Sequence, residues 1–212
     1  PELGGMYSQQ DSVWALTAIL ESLNIKLPQL TIMSSAAEVE SPPLYSVRTE
    51  PMIPVIHGAI VAKERTETIC TVQEVVDSYH LPELMTGDEQ YSHCGQKIDA
   101  NKRHRIQDDP PFIAIQLKRY KNVGTILKPN LERINDNVEP SATIDLPINA
   151  PEPIRKRLIG ISCQSGGLGG GHYIAYRQAP DGKIYKYNDS SRSVSLGTKW
   201  DQLPPRELAY IR

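Results

Sequence analysis

Cysteine is scarce in this sequence of 212 residues, which contains three: Cys70, Cys94 and Cys163. A small, odd number excludes a fully paired disulfide scaffold and favours a reducing, intracellular location, cytoplasmic or nuclear. A surplus of either charge is lacking too, since 23 Lys and Arg nearly balance 25 Asp and Glu, for a net charge of −2. This balance argues against nucleic acid and anionic membranes as partners.

Long apolar runs are also missing. No stretch approaches the roughly 20 apolar residues of a membrane-spanning helix, and the first residues do not form a secretory signal. Phosphate-loop and dinucleotide motifs are absent, because the glycine run 165–171 leads into a strand pattern and not into a helix. We therefore expect a globular domain that binds no cofactor and does not associate with membranes.

The sequence does contain two helical patterns followed by several strand patterns. Apolar periodicity predicts a helix over 8–23 and a second over 71–85, up to Pro82. Alternating apolar residues predict strands over 111–120 and 157–164. Helices first and antiparallel strands afterwards predict an α+β fold.

Proline is enriched: 17 of the 212 residues are proline, about 8% against a background of roughly 5%. The prolines cluster in 28–54 and 139–153, which we expect to be irregular. Between these stretches, 55–62 reads as a buried strand and 91–106 as a short hairpin with basic residues. The basic cluster 102–105 lacks interleaved aromatic residues and is interpreted as a solvated hairpin face, not as an RNA site.

His172 and Asn188 lie on the two arms of a predicted hairpin, "HYIAYR" and "KIYKYN". If 178–182 forms a five-residue loop, the register places the two residues directly opposite each other, with Cβ atoms about 4.5–5.5 Å apart. The carboxamide would then fix the tautomer of the imidazole. Asp189 points to the other face and is the second choice, and a tight two-residue turn would separate His172 from Asn188.

These two arms resemble the C-terminal motif of the ubiquitin-specific proteases, a family of papain-like cysteine deubiquitinases. That motif reads Gly-His-Tyr, a few strand residues, a turn, and aromatic-x-aromatic-(Asn/Asp)-Asp-Ser; here it stands as "GHYIAY" at 171–176 and "YKYNDS" at 185–190. Three further segments resemble family blocks in the family's order. They are "LTAILESL" at 16–23, "GDEQYSHCGQKIDANKR" at 87–103 and "PPFIAIQLKRY" at 110–120.

The resemblance implies one papain-like α+β domain over 1–212. A helical thumb would occupy about 1–85, and reduced fingers with an antiparallel β palm would occupy 86–212. The Gly-Gly tail of ubiquitin, or of a ubiquitin-like protein, would lie in the cleft between thumb and palm. Another protein partner is the alternative occupant.

The resemblance also implies roles for single residues. His172 would be the general base, Asn188 its orienter and Asp189 a helper beside them. The glycine segment, residues 165–171, would be a flexible lip over the ubiquitin tail. The residues implied to contact that tail are Gly170, Gly171 and Tyr173.

The nucleophilic cysteine of the family is missing. The family places it in Asn-Thr-Cys-Tyr just before the first long helix, and an ungapped match puts Trp14 there, whereas matching Trp14 to the following aromatic puts Val13 there. Neither side chain is a nucleophile. Gln9 or Gln10 stands near the oxyanion asparagine, but the longer side chain would move its amide donor. Two departures in one motif favour a pseudoprotease that acts as a protein-interaction module.

Two alternatives to a pseudoprotease remain open. The protein could be an active deubiquitinating cysteine protease whose cysteine has been replaced, with Ser12 and Ala15 as replacement residues in the same window. Alternatively, Ser12 is itself the nucleophile, although a hydroxyl is far weaker than a thiolate near neutral pH.

The remaining cysteines predict neither a nucleophile nor a metal site. Cys163 is interpreted as a packing residue on a strand, and Cys70 lies far from the C-terminal motif in sequence. Cys94 has His93 and His80 as nearby co-ligands in sequence, fewer than the four ligands of a closed zinc site. We therefore expect no bound metal.

Overall fold

The computed structural model describes most of the chain, namely residues 12–23, 27–36, 44–52, 54–60, 70–125, 128–167, 170–194 and 197–200. Two helices are described, α1 (Ser12–Ser22) and α2 (Val72–His80), with a 3-10 turn at Gly87–Glu89. The strands before residue 110 are β1 (Gln29–Ala36), β2 (Leu44–Pro51), β3 (Val55–Ala59), β4 (Cys70–Thr71), β5 (Glu83–Met85), β6 (Tyr91–His93), β7 (Gln96–Ile98) and β8 (Ala100–Ile106). The later strands are β9 (Ala114–Lys118), β10 (Tyr120–Asn122), β11 (Leu131–Arg133), β12 (Val138–Glu139), β13 (Thr143–Leu146), β14 (Ile154–Arg157), β15 (Gly160–Gly167), β16 (Gly170–Gln178), β17 (Ile184–Asn188) and β18 (Ser191–Val194).

This arrangement confirms the predicted α+β class. Among the described residues, the strands form two four-stranded sheets, ordered β2-β1-β8-β5 and β15-β16-β17-β18, and five two-stranded pairs. Most pairs are antiparallel, whereas β3 with β9 and β4 with β12 are parallel. The division into thumb, fingers and palm stays a prediction.

Helix α2 begins and ends where local chemistry predicts. The Thr71 side chain accepts a hydrogen bond from the Glu74 amide, and the Glu74 carboxylate accepts one from the Thr71 amide at 2.8 Å, a capping box. At the other end Leu81 adopts extended backbone, because it precedes Pro82. The second predicted helix is therefore confirmed; of the first, residues 8–11 lie outside the described residues.

The expectation that 28–54 is irregular was wrong. Strands β1 and β2 pair over this stretch, with Gln29 opposite Pro51, and β1 also pairs with β8. Pro28 lies before β1 and Pro51 is the last residue of β2, so these prolines cost the sheet no interior hydrogen bond. The expectation for 139–153 holds for 140–142 and 147–153, which form no helix or strand, and is wrong for β13, which lies between prolines that do not interrupt it.

Two apolar clusters form the core of the described residues, and α2 contributes to both. Val75 lies in the first cluster and Val76 in the second, and both are fully buried. The first cluster consists of Ile60, Cys70, Val75, Leu117, Val138, Ile161, Cys163, Tyr176, Ile184 and Trp200. The second consists of Leu30, Ile32, Met52, Ile56, Val76, Ile106, Ile144 and Leu146.

The C-terminal end of α2 is joined to β8 by a cluster of aromatic rings. The Nδ1 atom of His80 lies 3.2 Å from the His104 carbonyl oxygen, so Nδ1 carries the proton and donates. The ring of Tyr79 stacks on that of His104 with centroids 5.0 Å apart. The Nε2 atom of His80 is buried and has no hydrogen-bond partner among the described residues.

Burial favours the neutral form of both imidazoles. It lowers the pKa of His80, although the hydrogen bond to the His104 carbonyl and the nearby Asp77 act in the opposite direction. Burial also lowers the pKa of His104, and the charge of Lys102 adds to that effect. Protonating His80 would place a charge and an unpaired N–H at its buried Nε2.

We expect the protein to lose stability in mild acid through this cluster. The folded-state pKa of His80 lies below the ordinary value of 6.5. Its contribution to the free energy of unfolding is therefore complete above about pH 6.5 and is lost as the pH falls from there through the lower folded-state pKa. Urea unfolding of the wild type and of His80→Gln at pH 7.5, 6 and 5 measures the effect. The wild type should lose more stability between pH 7.5 and 5 than the variant, and parallel pH curves would contradict the assignment.

Candidate functional site

The site lies at one end of the sheet formed by β15, β16, β17 and β18. His172, Ile174 and Tyr176 share one face of β16, as the strand alternation predicts. Tyr176 is 2% exposed in the first core cluster and Ile174 packs against that cluster, whereas His172 is exposed. The core therefore anchors one part of the strand and leaves the imidazole at its accessible end.

His172 and Asn188 are in direct contact. The Nε2 atom of His172 lies 2.5 Å from the Oδ1 atom of Asn188. Because the amide oxygen accepts, Nε2 carries the proton and the Nδ1 atom of the neutral ring presents its lone pair. An imidazole held in this tautomer is suited to receive a proton from a nucleophile on its Nδ1 side.

The register that produces this contact differs from the predicted one. Arg177 pairs with Tyr185, and not with Lys183, so continuing the pairing places Asn188 opposite Ile174. The predicted register was therefore wrong by two residues. A shift of two keeps a side chain on the same face, and diagonal neighbours remain within reach of long side chains, so Asn188 reaches His172 diagonally.

The loop between β16 and β17 sets this register. It spans 179–183, where the Ala179 amide donates to the Lys183 carbonyl at 2.9 Å. The Asp181 carboxylate accepts hydrogen bonds from the Lys183 amide at 3.0 Å and from the Tyr185 hydroxyl at 2.9 Å. These bonds, the backbone one first, lower the pKa of Asp181. Gly182 completes the turn with a φ of +80°.

Asp189 is placed in the turn that follows Asn188. It has a φ of +50° and lies between β17 and β18, where Asn188 pairs with Ser191. Within the described ranges no hydrogen bond joins its side chain to His172. A helper role for Asp189 stays a prediction.

Gly171, in the glycine segment, approaches the backbone of β15 closely. A Cβ atom on Gly171 would lie 2.2 Å from the Ser165 carbonyl oxygen and 2.8 Å from the Nε2 atom of Gln164, so this position needs glycine. Gly170 pairs with Gly167, and Tyr173 lies half-buried on the face opposite His172. The contacts of Gly170, Gly171 and Tyr173 with a ubiquitin tail stay predictions.

The nucleophile and oxyanion predictions fall mostly on side chains that the structure does not describe. Val13 and Trp14 lie in the first turn of α1, where the backbone alone is described. Gln9 and Gln10 lie outside the described residues.

The three cysteines lie in different surroundings. Cys70 and Cys163 are buried in the first core cluster. Cys94 is exposed in the turn between β6 and β7, with a φ of +49°. Among the described residues no group of three or more His, Cys, Asp or Glu side chains is placed to hold a metal ion. None of the helices in the described ranges is long and apolar enough to cross a membrane.

Two arginines that bond to backbone carbonyls were missed by the sequence interpretation. Arg119 is 5% exposed and donates hydrogen bonds to the carbonyls of Ile134 and Asp136. Arg133 donates to the carbonyl of Gly166, a residue 33 positions away in the chain. "LKRY" at 117–120 marks Arg119 as part of a motif, but nothing in the sequence pairs Arg133 with the glycine segment.

Curated proteins with similar sequences are larger than this chain. Ubiquitin carboxyl-terminal hydrolase 15 of Homo sapiens is 24% identical over 153 residues, which cover 66% of this chain and 15% of that protein. Ubiquitin carboxyl-terminal hydrolase 5 of Saccharomyces cerevisiae is 29% identical over 160 residues, covering 68% of this chain and 20% of that protein. The chain thus spans about a fifth or less of the length of these relatives.

A solved structure and a family model match nearly the whole chain. The structure is the SAGA DUB module, with a cysteine-to-alanine variant of Ubp8, Sgf11, Sus1 and Sgf73 bound to monoubiquitin. Its TM-score is 0.70 at 24% identity, covering 97% of this chain and 49% of that one. The family model described as ubiquitin carboxyl-terminal hydrolase matches residues 3–211. The chain therefore belongs to the ubiquitin carboxyl-terminal hydrolase family and has the mixed helix-and-sheet fold of its ubiquitin-specific proteases.

Proposed function

We propose that this chain is a pseudoprotease, a protein-interaction module that holds ubiquitin or a ubiquitin-like protein in its cleft without cleaving it. One observation carries the proposal: the sequence contains no cysteine before Cys70, and so none in or before α1. The thiolate of a cysteine protease gains its reactivity at a helix N-terminus beside a histidine, and α1 begins with Ser12, Val13 and Trp14.

The positions of the other cysteines support the absence of thiol chemistry. The thiols of Cys70 and Cys163 are packed in the first core cluster, where no substrate bond is accessible. Cys94 belongs to the separate β6–β7 hairpin. Cys163 pairs with Ile174, two residues from His172 along β16, so its burial at 6% exposure, and not its distance, argues against a catalytic thiol.

The fold and its likeness to known proteins support ubiquitin as the partner. The solved neighbour is bound to monoubiquitin, which is a property of that protein. This chain keeps the glycine segment beside His172, with Gly171 pressed against Ser165 and no room for a side chain. Bare backbone of this kind suits contact with an extended tail that ends in Gly-Gly.

A second candidate function is deubiquitination by an active cysteine protease whose nucleophile has been replaced. The hydrogen bond between His172 and Asn188 favours it, because the imidazole is already held in the tautomer that a general base requires. A module that only binds has no need for this tautomer.

Ubiquitin binding and cysteine rescue together distinguish the two functions. We measure the affinity of the chain for ubiquitin by calorimetry and the hydrolysis of a fluorogenic C-terminal ubiquitin amide. For the pseudoprotease we expect ubiquitin binding by the unaltered chain and no hydrolysis above background by Trp14→Cys or Val13→Cys.

Restored hydrolysis would instead support the protease. Adding His172→Ala to the restored variant should then lower the rate by about 10²–10⁴-fold, the usual contribution of a general base. Neither binding nor hydrolysis would overturn ubiquitin as the partner, and the fold would then serve an unrelated protein.

A further inference from the structure

We infer that Arg133 is a positioning residue whose hydrogen bond to the Gly166 carbonyl holds the glycine segment beside His172 and thereby shapes the cleft for the ubiquitin tail. Arg133 ends β11, and its Nη1 atom donates to a carbonyl on β15, a strand of a different sheet. The bond thus joins the β10–β11 hairpin to the sheet that carries the site. The effect on ubiquitin rests on the proposed function, whereas the effect on the glycine segment does not.

The bonded carbonyl lies immediately next to the histidine in the sheet. Gly166 pairs with Gly171, and the neighbouring pair is Ser165 with His172. The Ser165 hydroxyl also reaches the His172 carbonyl at 3.5 Å. A displacement of Gly166 is therefore transmitted through one ladder step to the backbone of His172.

Apart from the ladder pairing of β15 with β16, the described residues of the glycine segment have little to hold them in place. Its described residues, 165–167 and 170–171, include four glycines, which add no side-chain packing and are free to adopt many backbone conformations. Gly166 has a φ of +117°, a conformation that other residues rarely adopt. A segment of this kind is ordered by bonds from neighbouring elements, and Arg133 supplies one with a charged donor, which is stronger than a neutral one.

Arg133 is itself held by the buried Arg119. The Ile134 amide donates to the Arg119 carbonyl at 2.7 Å, while the Arg119 guanidinium donates to the carbonyls of Ile134 and Asp136. Arg133 also pairs with Tyr120 across the hairpin. The backbone on both sides of Arg133 is thus fixed, so its side chain works from a rigid base.

The charge of Arg133 is not neutralised by a carboxylate in the described ranges, where the ion pairs involve other residues. Burial lowers the pKa of Arg119, and the charge of Arg133 adds to that effect. Bringing two cations together costs free energy. The hydrogen bond to Gly166 offsets part of that cost and keeps Arg133 in position.

Hydrogen exchange of the full chain tests the inference without ubiquitin. We compare the amides of 165–171 by mass spectrometry in the wild type, Arg133→Met, Arg133→Lys and Arg177→Met. Arg177 is an exposed arginine on the same strand as His172 and serves as the matched control. Arg133→Met should exchange about tenfold faster, as expected for the loss of a bond from a charged donor, with Arg133→Lys in between and Arg177→Met unchanged.

Equal exchange in the wild type and Arg133→Met would overturn the inference. So would equal acceleration in Arg133→Met and Arg133→Lys, because lysine keeps a charged donor. This second comparison remains decisive even if Arg133→Met lowers the melting temperature.

Affinity measurements extend the test to function. Ubiquitin and ubiquitin lacking its terminal Gly-Gly are titrated into the wild type and Arg133→Met. The variant should bind intact ubiquitin about tenfold more weakly and the truncated form equally well, whereas a general loss of structure would weaken both. If the wild type binds neither form but the exchange result holds, the proposed function fails and the positioning role stands.

Discussion

Arg119→Met is expected to lower the free energy of unfolding by about 3 kcal/mol, because it removes buried donors and leaves two carbonyls unpaired. Arg119 is 5% exposed, and its guanidinium bonds to the carbonyls of Ile134 and Asp136. Methionine keeps most of the volume of the side chain, so the loss reports hydrogen bonding more than packing. Urea unfolding measured by circular dichroism gives the change.

Two matched variants define the outcome for Arg119. Arg119→Lys keeps one charged donor and should lose about half as much stability as Arg119→Met. Arg103→Met removes an exposed arginine from β8 and should change stability by no more than about 0.5 kcal/mol. Equal changes for Arg119→Met and Arg103→Met would show that the buried bonds do not stabilise the fold.

Gly58→Ala is expected to destabilise the protein by about 2–3 kcal/mol through overpacking. A Cβ atom on Gly58 would lie 2.1 Å from the Cγ1 atom of Val75, a fully buried β-branched residue of α2. The backbone of Gly58 does not have a positive φ, so alanine is allowed there and the cost is steric. Elsewhere in a chain such a replacement is often slightly stabilising.

A double-mutant cycle isolates this contact. Val75→Ala alone should cost about 2 kcal/mol by leaving a cavity. The double variant Gly58→Ala/Val75→Ala should be at least about 1 kcal/mol more stable than the sum of the single effects predicts, because the methyl group added at position 58 occupies the space that the shortened side chain at position 75 leaves. Additive effects, measured by urea unfolding, would contradict a direct contact between β3 and α2.

Elements with local signals could be predicted from the sequence. The Thr71–Glu74 capping box and Pro82 mark both ends of α2 within a few residues. Prolines were misleading because their number carries less information than their position, as Pro28 and Pro51 at strand ends demonstrate.

The sequence could predict which side chains of the candidate site share a face of the sheet, because strand alternation determines this. A register shift of two residues leaves His172 and Asn188 on the same face of the sheet. Their contact was therefore predicted although the predicted register was wrong. The register depends on the hydrogen bonds of Asp181 within the loop. These bonds cannot be inferred from the number of residues between the two strands. The bond from Arg133 to Gly166 joins distant segments and has no local pattern at all.

The two parallel strand pairs have a consequence for the order in which the chain folds. Strand β3 can pair only after β9 has been synthesised, and β4 only after β12. Ile60 and Trp200, which are far apart in the sequence, also lie in the same apolar cluster. Trp200 is 4% exposed, and its indole N–H is bonded to the Leu158 carbonyl at 3.2 Å. During synthesis the early half of the chain therefore emerges from the ribosome without the neighbours that complete its interior. Contacts of such large sequence separation slow folding, so we expect a nascent chain of this protein to expose apolar surface at least until Trp200 has emerged.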